Sequence, residues 1–359
     1  MFLFRPARED DEDAVLALAS HLNTLNLAPD RRVVTDLLRQ SAQGFSGSRD
    51  EFRPERYLLF VLEDEQGEVV GTSSIFAQHG TAQRAHYYFA VNERTREAVL
   101  DGGDGPARHV SRVLTTLTLG RTEQGPTEIG GLVLHPRLRG HPDKLGRLVS
   151  LGRFLVIAGF RAWFRDRVLA ELLPPLRRGR QGELQSDLWD AIGAKCTGLP
   201  YAEADALSRV DNRFIGQLFP DTPIHVELLP MAAQAVIGQV GPATKGARHL
   251  LERIGFAYRY RIDPFDGGPH FEAETDRVGP VRTATWVHAR EGDVAGGAEA
   301  LVARLEDEHP RVRVLWTRVG VDGAADAEPE RVRLSEAALM RLGYSPREGG
   351  RVLVALGGY

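Results

Sequence analysis

One cysteine in 359 residues, Cys196, leaves the chain no internal disulfide, and its setting between Lys195 and Thr197 offers no paired-thiol or metal-ligand spacing. A disulfide-stapled scaffold is excluded, and a reducing cytoplasm is the expected compartment. Basic charge is not in excess either. With 45 Lys+Arg against 49 Asp+Glu, a formal net charge of −4, no overall field attracts nucleic acid. Long apolar runs are missing too: the richest stretch, 148–164, is interrupted by Arg153 and Arg161, which a lone membrane span does not tolerate. Residues 1–6 run into an acidic segment rather than an apolar leader core, so secretion and membrane insertion are not expected. Gly102-Gly103-Asp104-Gly105 lacks the ordered glycines of a dinucleotide site, and no metal-ligand spacing occurs.

What is present is an ordinary globular composition, 42% hydrophobic and 26% charged, in a chain long enough to bury a substantial core. Residues 1–7 alternate apolar and polar as a strand does; behind them, 11–22 carries Ala14, Leu16, Leu18 and Leu22 at helical spacing after an acidic first turn. Segment 31–41 is a second amphipathic helix. Strands are expected at 57–62, 69–77 and 86–91, the first two joined by a polar Gly-containing turn at 63–68 that suits an antiparallel hairpin. A strand at 128–134, a polar loop at 135–144 and a long helix from 145 to about 164 follow.

That loop-to-helix transition is a ready anion site. A helix N-terminus presents unpaired N–H groups and partial positive charge, and here Arg137, Arg139 and Lys144 flank it. Beyond it, 167–173 reads as a strand and 187–192 as a short helix closed by Gly193; helix 247–254 and strand 257–262 repeat that plan. From about 291, loops at 291–297 and 321–326 separate strands 312–319, 332–334 and 352–356, with Ser335 capping a helix through Leu342.

The element order is similar to that of GNAT acyltransferases, in which the sheet splays before a helix whose N-terminus receives acyl-CoA pyrophosphate. Two further segments narrow the resemblance. Ile237-Gly238-Gln239-Val240-Gly241-Pro242 and Asp263-Pro264-Phe265-Asp266-Gly267-Gly268-Pro269-His270-Phe271-Glu272 resemble the arginine N-succinyltransferase family, whose usual forms read about VIGQVHP and DIFDGGPTLE. Matches of the same kind run in order from Phe2-Leu3-Phe4-Arg5-Pro6 through Val70-Gly71-Thr72, Arg153-Phe154 and Pro223-Ile224 to Leu228-Leu229-Pro230, close to the whole chain. Gly241 stands where the family carries a histidine assigned as proton donor.

The resemblance implies an α+β chain with a GNAT-like acyl-CoA N-acyltransferase fold, the repeated plan hinting at two degenerate halves, and a small C-terminal β-rich unit. The expected division is 1–200 for acyl-CoA binding, 201–288 for acceptor and catalytic motifs and 289–359 for the appended unit. The implied reaction moves a succinyl or related acyl group from succinyl-CoA, the co-substrate, to the α-amine of arginine or a similar amino acid, in arginine catabolism. No permanently bound cofactor and no metal are expected, and the partners are these small molecules, not nucleic acid or membrane; a homo- or hetero-oligomer stays open. The family's succinyl-CoA position falls on Leu132, with Arg139, Gly140, Lys144 and Gly146 as the anion loop. Asp263, Asp266 and Glu272 are the carboxylates available to grip a guanidinium.

Aminolysis needs a group to take the amine's proton. With Gly241 in the histidine's place, His270 and His225 are the replacement candidates, standing where the family has Thr and Tyr, and Tyr258 and Tyr260 are candidate thiolate proton donors by analogy with GNAT enzymes. Two departures bear on the acceptor: Thr24-Leu25-Asn26-Leu27-Ala28-Pro29 replaces a GLTSLP-like loop, and 177–182 is basic where the family is acidic. The alternative is a catalytically silent paralogue serving as partner subunit or ligand-binding regulator.

Overall fold

The computed structural model describes every residue except 22–26, 104, 181, 307–311, 322–330 and 359, so half of the early loop at 24–29 and most of the loop at 321–326 lie outside the described residues. The alternating N-terminus forms β1 (Leu3–Pro6), and its acidic sequel forms α1 (Glu12–Ala19). Arg5 locks the two together. Its guanidinium donates to both oxygens of Asp11, at 2.8 and 2.9 Å, and to Glu63 at 2.5 Å, and all three side chains are largely withdrawn from water. α2 (Arg31–Gly44) starts at Asp30, whose carboxylate caps the N–H groups of Arg32 and Val33. β2 (Tyr57–Glu63) and β3 (Val69–Phe76) form the expected hairpin, with Asp64 accepting from the N–H groups of Gln66 and Glu68 in the turn.

The expected short strand at 86–91 is the root of a long arm, β4 (His86–Gly102) paired with β5 (Gly105–Thr122). From Glu93 to Asp101 and from Pro106 to His109 its side chains are exposed on both faces, so no period-2 apolar pattern marks it. β6 (Thr127–Leu134) returns beside β3 and carries a bulge: Thr72 opposes Val133 and Ser74 opposes Gly130, one residue more on β6 than on β3, with Gly131 at φ +56°. The extra residue reverses the faces. Ile129 packs in the core beneath α3 (Leu145–Gly159), whereas Val133 joins the opposite core under α1 and α2.

α3 ends at Gly159, short of the expected 164, and a single turn at Arg161–Trp163 leads to β7 (Arg167–Glu171). A two-stranded ribbon of β8 (Arg177–Arg178) and β9 (Leu184–Gln185) precedes a wide turn at Trp189–Gly193. The helix expected to close at Gly193 continues as α4 (Ala194–Thr197) and closes at Gly198, whose φ of +73° is the left-handed value that Gly193 does not adopt. α5 (Tyr201–Val210), α6 (Arg213–Leu218), β10 (Ile224–His225) and α7 (Met231–Val236) cover the root of the arm. α8 (Lys245–Arg253), β11 (Ala257–Ile262) and β12 (Pro269–Glu274) come next. These last strands extend the main sheet, in which the order β10-β5-β4-β11-β12-β7-β6-β3-β2-β1 is continuous.

After α9 (Gly279–Arg282), the C-terminal unit is built from β13 (Ala284–Glu291), β14 (Ala298–Leu305), β15 (Val312–Val321), β16 (Arg331–Leu334), α10 (Glu336–Leu342) and β17 (Gly350–Leu356). Ser335 caps α10 as expected, accepting from Ala338 N–H. The unit joins the main sheet through β1, where Phe4 lies opposite Val314, so strands from all three expected segments share one sheet.

Arg153 fixes α3 against the bulge. Buried at 3% exposure, it donates to the carbonyls of Ser150 and Gly130, both at 3.1 Å, and of Ser74 at 3.4 Å; burial without a carboxylate lowers its pKa to about 9. Ser73 adds a hydroxyl bond to the Val149 carbonyl at 3.0 Å. Arg153→Met keeps the stem and removes the donors, and should lower unfolding free energy in urea by about 3 kcal/mol. A change within about 0.5 kcal/mol would mean that the sheet holds the bulge unaided.

Candidate active site

Parallel β6 and β7 pair only at Thr127 with Val168 and at Glu128 with Leu169. Beyond that point they part, and the β7-facing side of 130–134 has no strand partner. Half-buried Leu132 lies on this free stretch, immediately after the bulge. In the following loop Gly140 takes φ +78° and Lys144 φ +52°, turning the chain into α3, and a side chain built on Gly146 would meet open space. Arg137 is engaged with Glu68 at 2.7 Å; Arg139 and Lys144 make no ion pair among the described residues. A split strand pair and a cation-flanked helix N-terminus thus follow one another, a backbone edge for an extended chain leading to a site for phosphates.

On the face opposite α3 the split is lined by ionisable groups. Ile129, Val168, Ala170, Leu172, Phe271 and Ala273 belong to the α3 core, and strand alternation therefore turns Glu128, Glu171, His270 and Glu272 the other way. His79, from the turn after β3, and His86, the first residue of β4, complete the group. His86 Nε2 lies 3.1 Å and His270 Nε2 3.3 Å from the same Glu171 oxygen, His79 Nε2 4.0 Å from it, and His79 Nδ1 bonds to Glu128. The rings of His86 and His270 stack at 5.2 Å. Burial, against the opposing pull of the Glu171 carboxylate, holds His270 down to about 3, and burial followed by the charge of His79 holds His86 well below an ordinary imidazole. His79 behaves oppositely: burial opposes its charge, but Glu128 and then Glu171 outweigh that and raise it to about 9.

The turn between β11 and β12 adds two carboxyls beside Glu171. Asp263 accepts from the N–H of Phe265 at 2.7 Å and of Asp266 at 3.1 Å, and Asp266 accepts from Gly268 N–H at 2.7 Å. No Lys or Arg pairs with either among the described residues. Burial pushes Asp266 up to about 7, with Glu171 and Asp205 adding to the rise; Asp263 is raised well above an ordinary carboxyl by lost hydration, then by Asp266 and Glu171. These two carboxyls therefore lack a counter-cation among the described residues. Glu272 differs: it is already held by Arg167 and, at 3.6 Å, by Arg261.

Gly241 donates its N–H to the Leu173 carbonyl at 2.9 Å, and a β-carbon there would lie 2.8 Å from the Pro174 carbonyl oxygen, so no side chain fits without moving that backbone. The histidine's usual position thus sits just past the end of β7, on the strand carrying Glu171. His225 lies apart, half-exposed on edge strand β10 and 4.0 Å from Glu227. Tyr258 is half-buried, its hydroxyl raised to about 12 chiefly by burial, and it packs against Gly238; Tyr260 is exposed at a bulge with φ +54°.

Residues 2–280 match the family model described as arginine N-succinyltransferase beta subunit. The chain belongs to the arginine N-succinyltransferase family. Among similar proteins, the arginine N-succinyltransferase of Shigella boydii serotype 18 is 32% identical over 351 residues, 93% of this chain and 97% of that one. That of Escherichia coli O6:H1 is 32% identical over 346 residues, 94% and 93% of the two chains. The solved structure of arginine/ornithine succinyltransferase subunit AI from Pseudomonas aeruginosa superposes with a TM-score of 0.77 at 27% identity, covering 100% of this chain and 99% of that one. Against this family background, reading the sequence missed His79, His86, Glu128 and Glu171. The carboxylates carried a signal, since each adjoins an apolar run, Glu128 at the start of β6 and Glu171 at the end of β7, and a carboxylate withdrawn from water needs a reason.

The Asp266 carboxyl yields a signed prediction. Its folded pKa of about 7 exceeds the unfolded value of about 3.9, so the folded state holds the extra proton between them. Its stabilising contribution is complete below about pH 4 and is lost as pH rises through 7, at up to about 1.4 kcal/mol per pH unit. Urea unfolding of Asp266→Asn from pH 4 to 8 should show this slope removed, and an unaltered slope would refute the assignment.

Proposed function

We propose that this chain transfers the succinyl group of succinyl-CoA to the α-amine of arginine or a similar amino acid, in the cytoplasm and in arginine catabolism. The observation that carries the reading is Glu171: it lies where β7 leaves β6, with imidazoles of His270 and His86 against one of its oxygens. The thioester enters the split from the α3 side, its phosphates against Arg139, Gly140, Lys144 and Gly146, and its carbonyl beside the backbone at Leu132. Donors placed at a developing oxyanion are the usual large contribution to acyl transfer. The cationic acceptor supplies the positive charge that Asp263 and Asp266 lack.

The amine gives up a proton, its nitrogen forms the amide bond to the succinyl carbonyl, and the C–S bond breaks to release CoA thiolate, which takes up a proton. His270 accepts the first proton. Burial keeps its nitrogen lone pair free at neutral pH, and the adjacent Glu171 carboxylate stabilises the imidazolium once formed. The half-buried Tyr258 hydroxyl, beside Gly238, is the proton source for the thiolate. Glu272, its charge already met, shapes the strand rather than the acceptor pocket. Assembly with copies of itself or with a related subunit is a further expectation.

Thiol release from succinyl-CoA with a panel of amino acids tests the activity; none with any amine would leave the silent-paralogue alternative. His270→Ala should lower kcat by about 10² to 10⁴, the usual worth of a positioned acid or base, whereas His225→Ala should change it less than about threefold; the reverse pattern would move the role to His225. Arg139→Glu and Lys144→Glu should each weaken succinyl-CoA binding about tenfold in calorimetry, and unchanged affinity would remove the loop from the site.

A further inference from the structure

Two of the imidazoles and the two carboxylates at the split are arranged as a metal site is. The His86 and His270 Nε2 atoms and the Glu171 oxygen between them are buried and have no hydrogen-bond partner. Two orphaned imidazole nitrogens against one orphaned carboxylate oxygen are costly unless something binds among them. The 3.1 Å between His86 Nε2 and the Glu171 oxygen is close to the roughly 3.3 Å between ligands of a tetrahedral ion with bonds of about 2.0–2.1 Å. The atoms of His79, His86 and Glu171 all lie within 4.8 Å of one another, and His79, part-exposed, has freedom to close its remaining gap. Its Nδ1 is bonded to Glu128, the outer carboxylate that in metal sites orients an imidazole so that Nε2 faces the ion.

We propose that His79, His86 and Glu171 form a binding site for a divalent transition metal, with Zn²⁺ the best-fitting ion and Glu128 the orienting group behind His79. Two imidazole nitrogens and one carboxylate oxygen, with a fourth position open to water, suit Zn²⁺ and Co²⁺ and disfavour the all-oxygen shells of Ca²⁺ and Mg²⁺. The dication meets Glu171, Glu128 and the nearby Asp263 and Asp266, set against the guanidiniums of Arg84 and Arg261. His270 Nε2, 3.3 Å from the same Glu171 oxygen, stays outside this ligand set and keeps the lone pair that acyl transfer uses, and the readout is binding and not turnover.

Full-length protein stripped with chelator and dialysed against Zn²⁺ should retain one equivalent, and Co²⁺ should give the intense visible bands of a tetrahedral site. His86→Ala should weaken Zn²⁺ at least about tenfold. His79→Ala, at a part-exposed position with little burden on folding, should weaken it to a similar degree. Wild-type protein that binds no more Zn²⁺ than either variant, or a weak octahedral Co²⁺ spectrum, would overturn the proposal.

Discussion

The buried guanidinium of Arg153 is the constraint on which the rest depends. It lies between α3 and the sheet with no carboxylate partner, and its charge is satisfied by backbone carbonyls, including that of Gly130 just before the bulge in β6. A regular β6 would keep Ile129 and Val133 on one face and continue pairing with β7. The bulge gives each face its own residue, and the strands part after Glu128. Opening a sheet costs ladder hydrogen bonds, and the opening persists because helix and bulge are tied to each other rather than to β7.

The two faces of that opening are chemically unlike. Beneath α3 the lining is aliphatic and aromatic, closed by a helix N-terminus whose Arg139 and Lys144 have no ion-pair partner among the described residues; on the other side the same strands present Glu128, Glu171 and His270, joined by histidines from two further segments. In the proposed reading an acyl donor and a cationic amine approach from opposite sides, and each meets charge of the sign it lacks.

Local elements were legible in the sequence where one face is buried. The β2–β3 hairpin showed through its apolar strands and its Asp64 turn, and α10 through Ser335. The β4–β5 arm was not legible past Val91, since residues wet on both faces carry no period to read. Of the candidate site, Asp263, Asp266 and His270 were legible because they sit in one contiguous motif. His79, His86 and Glu171 come from three separate elements, and only pairing of β12 with β7 brings Glu171 beside His270. Nor did the sequence reveal why Gly241 is glycine; the reason is the Leu173–Pro174 backbone pressed against it.

β1 stands between two assemblies, with β2 on one edge and β15 on the other. It is only four residues long, yet Leu3 belongs to the C-terminal core and Phe4 to the core under α3. Removing the appended unit would strip one side of this shared strand, leaving raw amide groups and a naked apolar side chain available to the next molecule. The C-terminal unit thereby keeps that edge and the Leu3 side chain covered.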